Sequence, residues 1–215
     1  MADRDIASPD AAAGAEGSTR REVVRTGVAA GAAAAMAAVL PPLVSPTPAL
    51  AAPVGDAAML LFALRAEQVM VYAYERTLAS GVIAAPAAGV MAQFLGQERE
   101  HVDALSVNLA RIGGPIPAPL RDLTTFELTL RELGIKRSPT ELRNERQYIS
   151  FLVRIETALA AVYHFAIEEL ADDKLIQTAA EIMANEGQHA TVLRELTSPG
   201  NVSRAVPTAF VGGSA

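Results

Sequence analysis

Residues 98–101 read EREH and residues 186–189 read EGQH, so the pattern Glu-x-x-His occurs twice in this chain of 215 residues. A Glu-x6-Tyr segment precedes each copy. The four segments in chain order are Glu67 to Tyr74, Glu98 to His101, Glu156 to Tyr163 and Glu186 to His189. The first glutamate of each pair of segments precedes the second by 31 residues in one half and by 30 in the other. This spacing indicates one helical hairpin written twice.

Four stretches of the chain carry apolar residues at alternating steps of three and four, which is typical of amphipathic helices packed on a core. They cover residues 60–78, 94–112, 149–170 and 175–196. In each stripe the main interruption is a Glu, a His or a Tyr. An ionised carboxylate at a core-facing position costs several kcal/mol unless it is paired or bound to metal. Four carboxylates and two imidazoles from the two hairpins therefore predict a site for two metal ions.

The helical spacing also predicts which side chains act together. Residues three apart lie about 60° apart around a helix, so Glu98 and His101 can address one metal position. Residues seven apart differ by only about 20°, which places Tyr74 on the same inward face as Glu67. Tyr163 stands in the same relation to Glu156. We expect each phenol to hydrogen-bond a metal ligand from another helix.

The connections between the stripes are unequal in length. Residues 79–86 and 171–174 are short links, so the helices on either side of each are expected to be antiparallel neighbours. The link at 113–137 is long, rich in Gly and Pro, and contains a short helix around 126–133 in our prediction. The sequence Ser-Pro-Thr-Glu at 138–141 resembles a capping box and predicts the start of the third long helix.

The N-terminal 51 residues are interpreted as an export signal. Arg20 and Arg21 precede an apolar run from Thr26 to Leu40, and Ala49-Leu50-Ala51 is typical of a cleavage site. The alternative is a membrane anchor, but a run of about 15 residues is shorter than the roughly 20 that span a bilayer. We therefore predict a cleaved twin-arginine signal at 1–51, a bundle at 52–198 and a tail at 199–215. The mature protein would be exported to the periplasm, envelope or exterior without a stable membrane anchor.

Composition narrows the chemistry further. The chain has no cysteine, which excludes disulfides and iron–sulfur or other thiolate metal sites, so any metal must use O and N ligands. The formal net charge is −6, and no basic patch is evident in the mature part. Nucleic acid is therefore not an expected partner.

These features resemble the ferritin-like di-iron carboxylate superfamily, which includes bacterioferritins, rubrerythrins and manganese catalases. The resemblance covers residues 56–198 and is greatest to the exported ferritin-like proteins of bacteria. It implies an all-α fold, namely a ferritin-like antiparallel four-helix bundle with one long crossover between helices two and three. Rubrerythrins carry a further Glu where this chain has Leu159, and they add a cysteine-bound iron domain that is absent here.

The resemblance also implies roles for the six ligands. Glu98 and Glu186 would bridge two metal ions, and the terminal ligands would be Glu67 with His101 on one ion and Glu156 with His189 on the other. The implied cofactor is two Fe ions, with Mn as the alternative.

The implied activity is oxidation of Fe(II) by O2 or H2O2, which would be the small-molecule partner. Two other functions remain open, namely a non-catalytic, stress-protective metal-binding bundle and a manganese catalase. The sequence leaves the oligomeric state open, although bundles of this type commonly form homodimers through apolar faces of the first two helices.

Overall fold

Four long helices carry all six candidate ligands. The structure is a computed structural model that describes residues 55–208, and within that range it is all-helical, with no strand. Its helices are α1 (Asp56–Leu78), α2 (Ala85–Arg111), α3 (Leu123–Glu132), α4 (Glu145–Glu169), α5 (Asp173–Thr197) and α6 (Val202–Ala205). The predicted all-α fold is confirmed. The predicted twin-arginine signal and its cleavage site lie outside the described residues.

Contacts at the two ends of the bundle define its topology. At one end, the Asp56 carboxylate at the start of α1 accepts hydrogen bonds from the backbone N–H groups of Ala171 and Asp172, between α4 and α5. At the other end, the N–H of Ala84 donates to the carboxylate of Glu145, the first residue of α4. Because α2 and α4 begin at the same end, they run parallel. The chain between them must cross the length of the bundle, as predicted.

Each hairpin packs as an antiparallel pair, α1 with α2 and α4 with α5, and the two hairpins meet where α1 lies on α4 and α2 on α5. Gly113 ends α2 with a φ of 75°, a left-handed conformation that glycine adopts without a steric cost. The chain then turns sharply into the crossover.

The crossover is anchored by the short helix α3, which packs on α1. The Phe126 side chain is fully buried there, with its ring centroid 4.7 Å from that of Tyr72 and 6.4 Å from that of Phe151. A helix was expected around residues 126–133, and one is found at Leu123–Glu132.

The predicted start of the third long helix is wrong. Ser138 caps only a 3₁₀ turn at Pro139–Glu141. Leu142 then adopts an extended backbone and buries its side chain, 4% exposed, which interrupts the helix. Asn144 is the N-cap of α4, since its side chain accepts the N–H of Gln147 at 3.1 Å. Burial of one leucine thus shifts the helix N-cap six residues along the chain, from Ser138 to Asn144.

The tail forms one short helix within the described residues. This helix, α6, packs on α5 and buries Ala205. Residues 209–215 lie outside the described part of the chain.

By length and composition, α4 could cross a membrane, and it is the one helix of the described range that meets this criterion. Of the most apolar 18-residue stretch of this helix, 56% is buried inside the bundle. A core helix passes the same test, so this property is explained by packing.

Apolar side chains form two core clusters, and the acidic positions of α2 and α5 lie at the boundary between them. On α2, Phe94 and Leu95 belong to one cluster, and Leu105 and Leu109 belong to the other. The region between these pairs contains the Glu-x-x-His pattern of α2. The site is therefore placed in the middle of the bundle, with apolar packing on both sides.

Candidate metal centre

The six predicted ligands meet at one place in the bundle. Their ligand atoms form two groups, each with all atoms within 4.8 Å of one another. One group is Glu67, Glu98, His101 and Glu186, and the other is Glu98, Glu156, Glu186 and His189. All four carboxylates are fully buried, and the groups share two of them, Glu98 and Glu186. The arrangement could hold two cations that share two carboxylates.

Antiparallel packing of α2 on α5 brings the two Glu-x-x-His patterns face to face. His189 Nδ1 lies 2.7 Å from Glu98 Oε1 and 3.5 Å from Glu156 Oε1. His101 Nδ1 lies 3.1 Å from Glu186 Oε1. Each histidine thus contacts the glutamate of the opposite pattern, so the sequence repeat becomes an approximate two-fold symmetry in space.

The same symmetry relates the two tyrosines, which join α1 to α4. The Tyr74 hydroxyl donates to Glu156 Oε1, and the Tyr163 hydroxyl donates to Glu67 Oε1. Burial and the nearby carboxylates raise the pKa of both phenols well above the ordinary value. Both tyrosines therefore stay protonated and act as hydrogen-bond donors.

Several buried polar atoms in this centre form no well-aligned hydrogen bond with any described residue, although Nδ1 of each histidine lies close to a carboxylate oxygen. They are both oxygens of Glu98, both oxygens of Glu186, Oε2 of Glu67, Oε2 of Glu156, and Nδ1 of His101 and His189. Buried polar atoms are otherwise almost always satisfied. The shared carboxylates each leave two oxygens free, whereas each tyrosine-bound carboxylate leaves one. This distribution fits two bridging and two terminal ligands for metal.

Burial acts to raise the pKa of Glu67, Glu98 and Glu186, but the neighbouring groups decide the net direction for each. Burial raises the pKa of Glu67 to about 8 in spite of His101. Burial, together with the charges of the other carboxylates, raises the pKa of Glu186 well above the ordinary value. Burial also acts to raise the pKa of Glu98, but His101 and His189 outweigh it and lower that pKa to about 2. Without cations, Glu67 is therefore protonated at neutral pH and Glu98 is ionised.

The pKa values of both imidazoles are raised. Burial lowers the pKa of His101, but Glu67 and Glu98 outweigh that effect and raise it to about 10. The pKa of His189 rises to about 9 because Glu156 and Glu98 outweigh burial in the same manner. In the absence of cations, both rings therefore carry two protons at neutral pH.

Two residues near the centre were missed by sequence reasoning. Gln97 places its Oε1 2.7 Å from Nε2 of His189, and Phe94 stacks on the His189 ring at 4.1 Å. Gln97 precedes Glu98 directly, and Phe94 lies one helical turn before it. That adjacency is the only sequence signal for either residue, and it does not show which histidine they reach.

The donor set is chemically suited to hard divalent cations. Carboxylate oxygens and imidazole nitrogens suit Fe and Mn, and the chain offers no thiolate for softer metals. Two divalent cations would balance the four ionised carboxylates and let both imidazoles become neutral. Metal ions would thus replace bound protons as the positive charge that offsets the buried carboxylates.

Comparison with known proteins places the chain in a family. Residues 55–199 match the model of the ferritin-like domain. Among solved structures, the chain is similar to a conserved hypothetical protein from Mycobacterium tuberculosis, with a TM-score of 0.52 and 20% identity over 65% of this chain and 94% of the other. That likeness concerns the fold alone. No curated protein matches significantly. The family match covers most of the chain and agrees with the bundle topology, so this protein belongs to the ferritin-like domain family.

Proposed function

We propose that this chain is a dinuclear metal carboxylate protein that binds two iron ions and oxidises Fe(II) with dioxygen or hydrogen peroxide. The observation that carries the proposal is the set of unpartnered atoms, two on each shared carboxylate and one on each other ligand. Glu98 and Glu186 are the bridging ligands of this proposal. Glu67 with His101, and Glu156 with His189, are the terminal pairs.

The protein itself supplies orientation and protons. Tyr74 and Tyr163 each hold one oxygen of a terminal carboxylate, which leaves the other oxygen aimed into the centre. Phe94 covers one face of the His189 ring and helps to keep water out. A pair of ferrous ions would supply two electrons, which is the number needed to reduce hydrogen peroxide to water. Protons bound at Glu67 and the two histidines leave as cations enter.

Export by the twin-arginine route is part of this proposal. That route carries folded proteins, so a metal centre could be assembled before transport.

A homodimer formed through the first two helices is also part of the proposal. Among the exposed large apolar side chains of the described residues, only Val107 lies on those helices. Pairing through those helices remains a prediction.

The proposed activity is tested with purified protein loaded anaerobically with Fe(II). We expect two ions per chain and consumption of dioxygen or peroxide when oxidant is added, with an absorption band from the oxidised iron pair. His189→Ala should abolish both the band and oxidant consumption. His164→Ala is the matched control, because His164 lies on the exposed surface of α4 and should change neither.

The same experiment separates the alternatives. A non-catalytic metal-binding bundle would hold two ions and consume no oxidant. A manganese catalase would release dioxygen rapidly from hydrogen peroxide after loading with Mn. Full turnover by His189→Ala would refute the proposed site.

Metal loading is also expected to release protons. At neutral pH, Glu67 with a pKa of about 8, His101 with about 10 and His189 with about 9 are protonated before cations bind. A metal ion requires their deprotonated forms, so affinity should rise with pH. Titration calorimetry in buffers of different ionisation enthalpy measures the number of protons. We expect about three or more per chain near pH 7, and a value near zero would contradict this charge distribution.

A further inference from the structure

The two halves of the metal centre differ in their access to solvent. The His189 side chain is 1% exposed, whereas that of His101 is 11% exposed. Since His101 Nδ1 is itself buried, the exposed part belongs to the rest of the His101 side chain. The position between Glu67 and His101 therefore lies nearer to the surface.

Gln97 fixes the histidine on the buried side. Its Oε1 lies 2.7 Å from His189 Nε2 and can accept the proton on that nitrogen. A proton held on Nε2 leaves Nδ1 as the metal-binding atom and fixes the rotation of the ring. Phe94 stacks against the same ring at an angle of 25°, so His189 is restrained from two directions.

The symmetric half has neither restraint. Asn185 precedes Glu186 as Gln97 precedes Glu98, but its side chain is shorter by one methylene. Within residues 55–208, no side chain hydrogen-bonds to His101 Nε2. The counterpart of Phe94 is Ile182, which has no ring to stack. The approximate two-fold symmetry of the ligands is thus broken by the residues that support the histidines.

We propose that the two metal positions are unequal, with Gln97 as the positioning residue that makes the difference. The ion beside His189 is held tightly, and the ion beside His101 exchanges with solvent. This inference rests on the proposed function, since it requires two bound cations. Loss of a group that orients a metal-bound histidine typically weakens metal binding by about 10- to 100-fold. The buried position should show that loss when Gln97 is shortened.

The test follows release of metal from protein loaded with two equivalents of Co(II), after mixing with a colour-forming chelator. Wild type should release one ion in a fast phase and one in a slow phase. Gln97→Ala should speed the slow phase by about 10- to 100-fold and leave the fast phase unchanged. Gln97→Glu keeps an acceptor for Nε2 and should preserve the slow phase.

Substitution of the terminal ligands assigns each phase to a position. Glu67→Gln should remove the fast phase, and Glu156→Gln should remove the slow one. The reciprocal variant Asn185→Gln offers His101 the longer side chain and should slow the fast phase. Circular dichroism of each metal-free variant shows whether it is folded, and Gln97→Asn replaces Gln97→Ala if the latter is not.

The outcomes distinguish the two proposals. Release of both ions in a single phase, or a slow phase unchanged in folded Gln97→Ala or Gln97→Asn, would overturn the inference and leave the dinuclear centre intact. The opposite assignment of phases by the Glu67 and Glu156 variants would also overturn it. Binding of fewer than two Co(II) ions per wild-type chain would instead refute the proposed function.

Discussion

Replacement of Glu98 or Glu186 by Gln is expected to abolish binding of both metal ions and to reduce oxidant consumption to the uncatalysed background. Each of these carboxylates belongs to both ligand groups, and neither of its oxygens makes a well-aligned hydrogen bond. Loss of a residue that only supports a ligand weakens metal binding by up to about 100-fold. Loss of the ligand itself should weaken it more. Glutamine keeps the shape of the side chain, so the bundle should still fold.

The contrast with the terminal ligands makes this prediction specific. Glu67 and Glu156 each belong to only one of the two ligand groups. Glu67→Gln or Glu156→Gln should therefore leave one ion bound per chain. Glu100→Gln is the control on α2, because Glu100 is exposed and lies outside both groups. Elemental analysis after gel filtration gives the stoichiometry. Two ions retained by Glu98→Gln would show that the shared carboxylates do not bridge.

Much of the fold could be predicted from the sequence, because each helix in a bundle needs an apolar face and a non-helical link to the next helix. The four stripes, the short links and the long crossover follow from that requirement. The start of α4 could not be predicted in this way. Ser138 carries a valid local capping signal, but burial of Leu142 in the tertiary structure overrides it.

The candidate ligands were also predictable, because a charged residue on an apolar stripe has a high energetic cost and needs a reason. Glu156 and Glu186 stand out in this way from the sequence alone. The supporting residues do not, since Gln97 is an ordinary polar residue whose role depends on the reach of one side chain between two helices. A difference of one methylene between Gln97 and Asn185 has no periodic signature.

Removal of metal is expected to lower the stability of the bundle greatly. Free metal at about 1,000 times the dissociation constant adds about 4 kcal/mol for each bound ion, so two ions contribute about 8 kcal/mol to the free energy of unfolding. For a domain of this size, that corresponds to about 20 °C in the melting temperature. Thermal melting followed by circular dichroism, with and without chelator, measures the difference. Glu98→Gln is the control, because its melting should not respond to chelator.

The difference in melting temperature between the metal-loaded and the metal-free protein should increase with pH. The pKa of Glu67 is raised from 4.5 to about 8 and that of His101 from 6.5 to about 10 in the folded, metal-free protein. A group whose pKa is higher in the folded than in the unfolded protein stabilises the fold at pH values below the unfolded pKa. That contribution is lost as the pH rises through the pKa of the folded state. Glu98, with its pKa lowered to about 2, would matter only in acid. The metal-free protein therefore loses stability as the pH rises from about 4.5 to about 10, while metal affinity rises because fewer protons compete. Equal melting of loaded and metal-free protein at the higher pH would mean that these buried groups need no cations, and the dinuclear site would then be excluded.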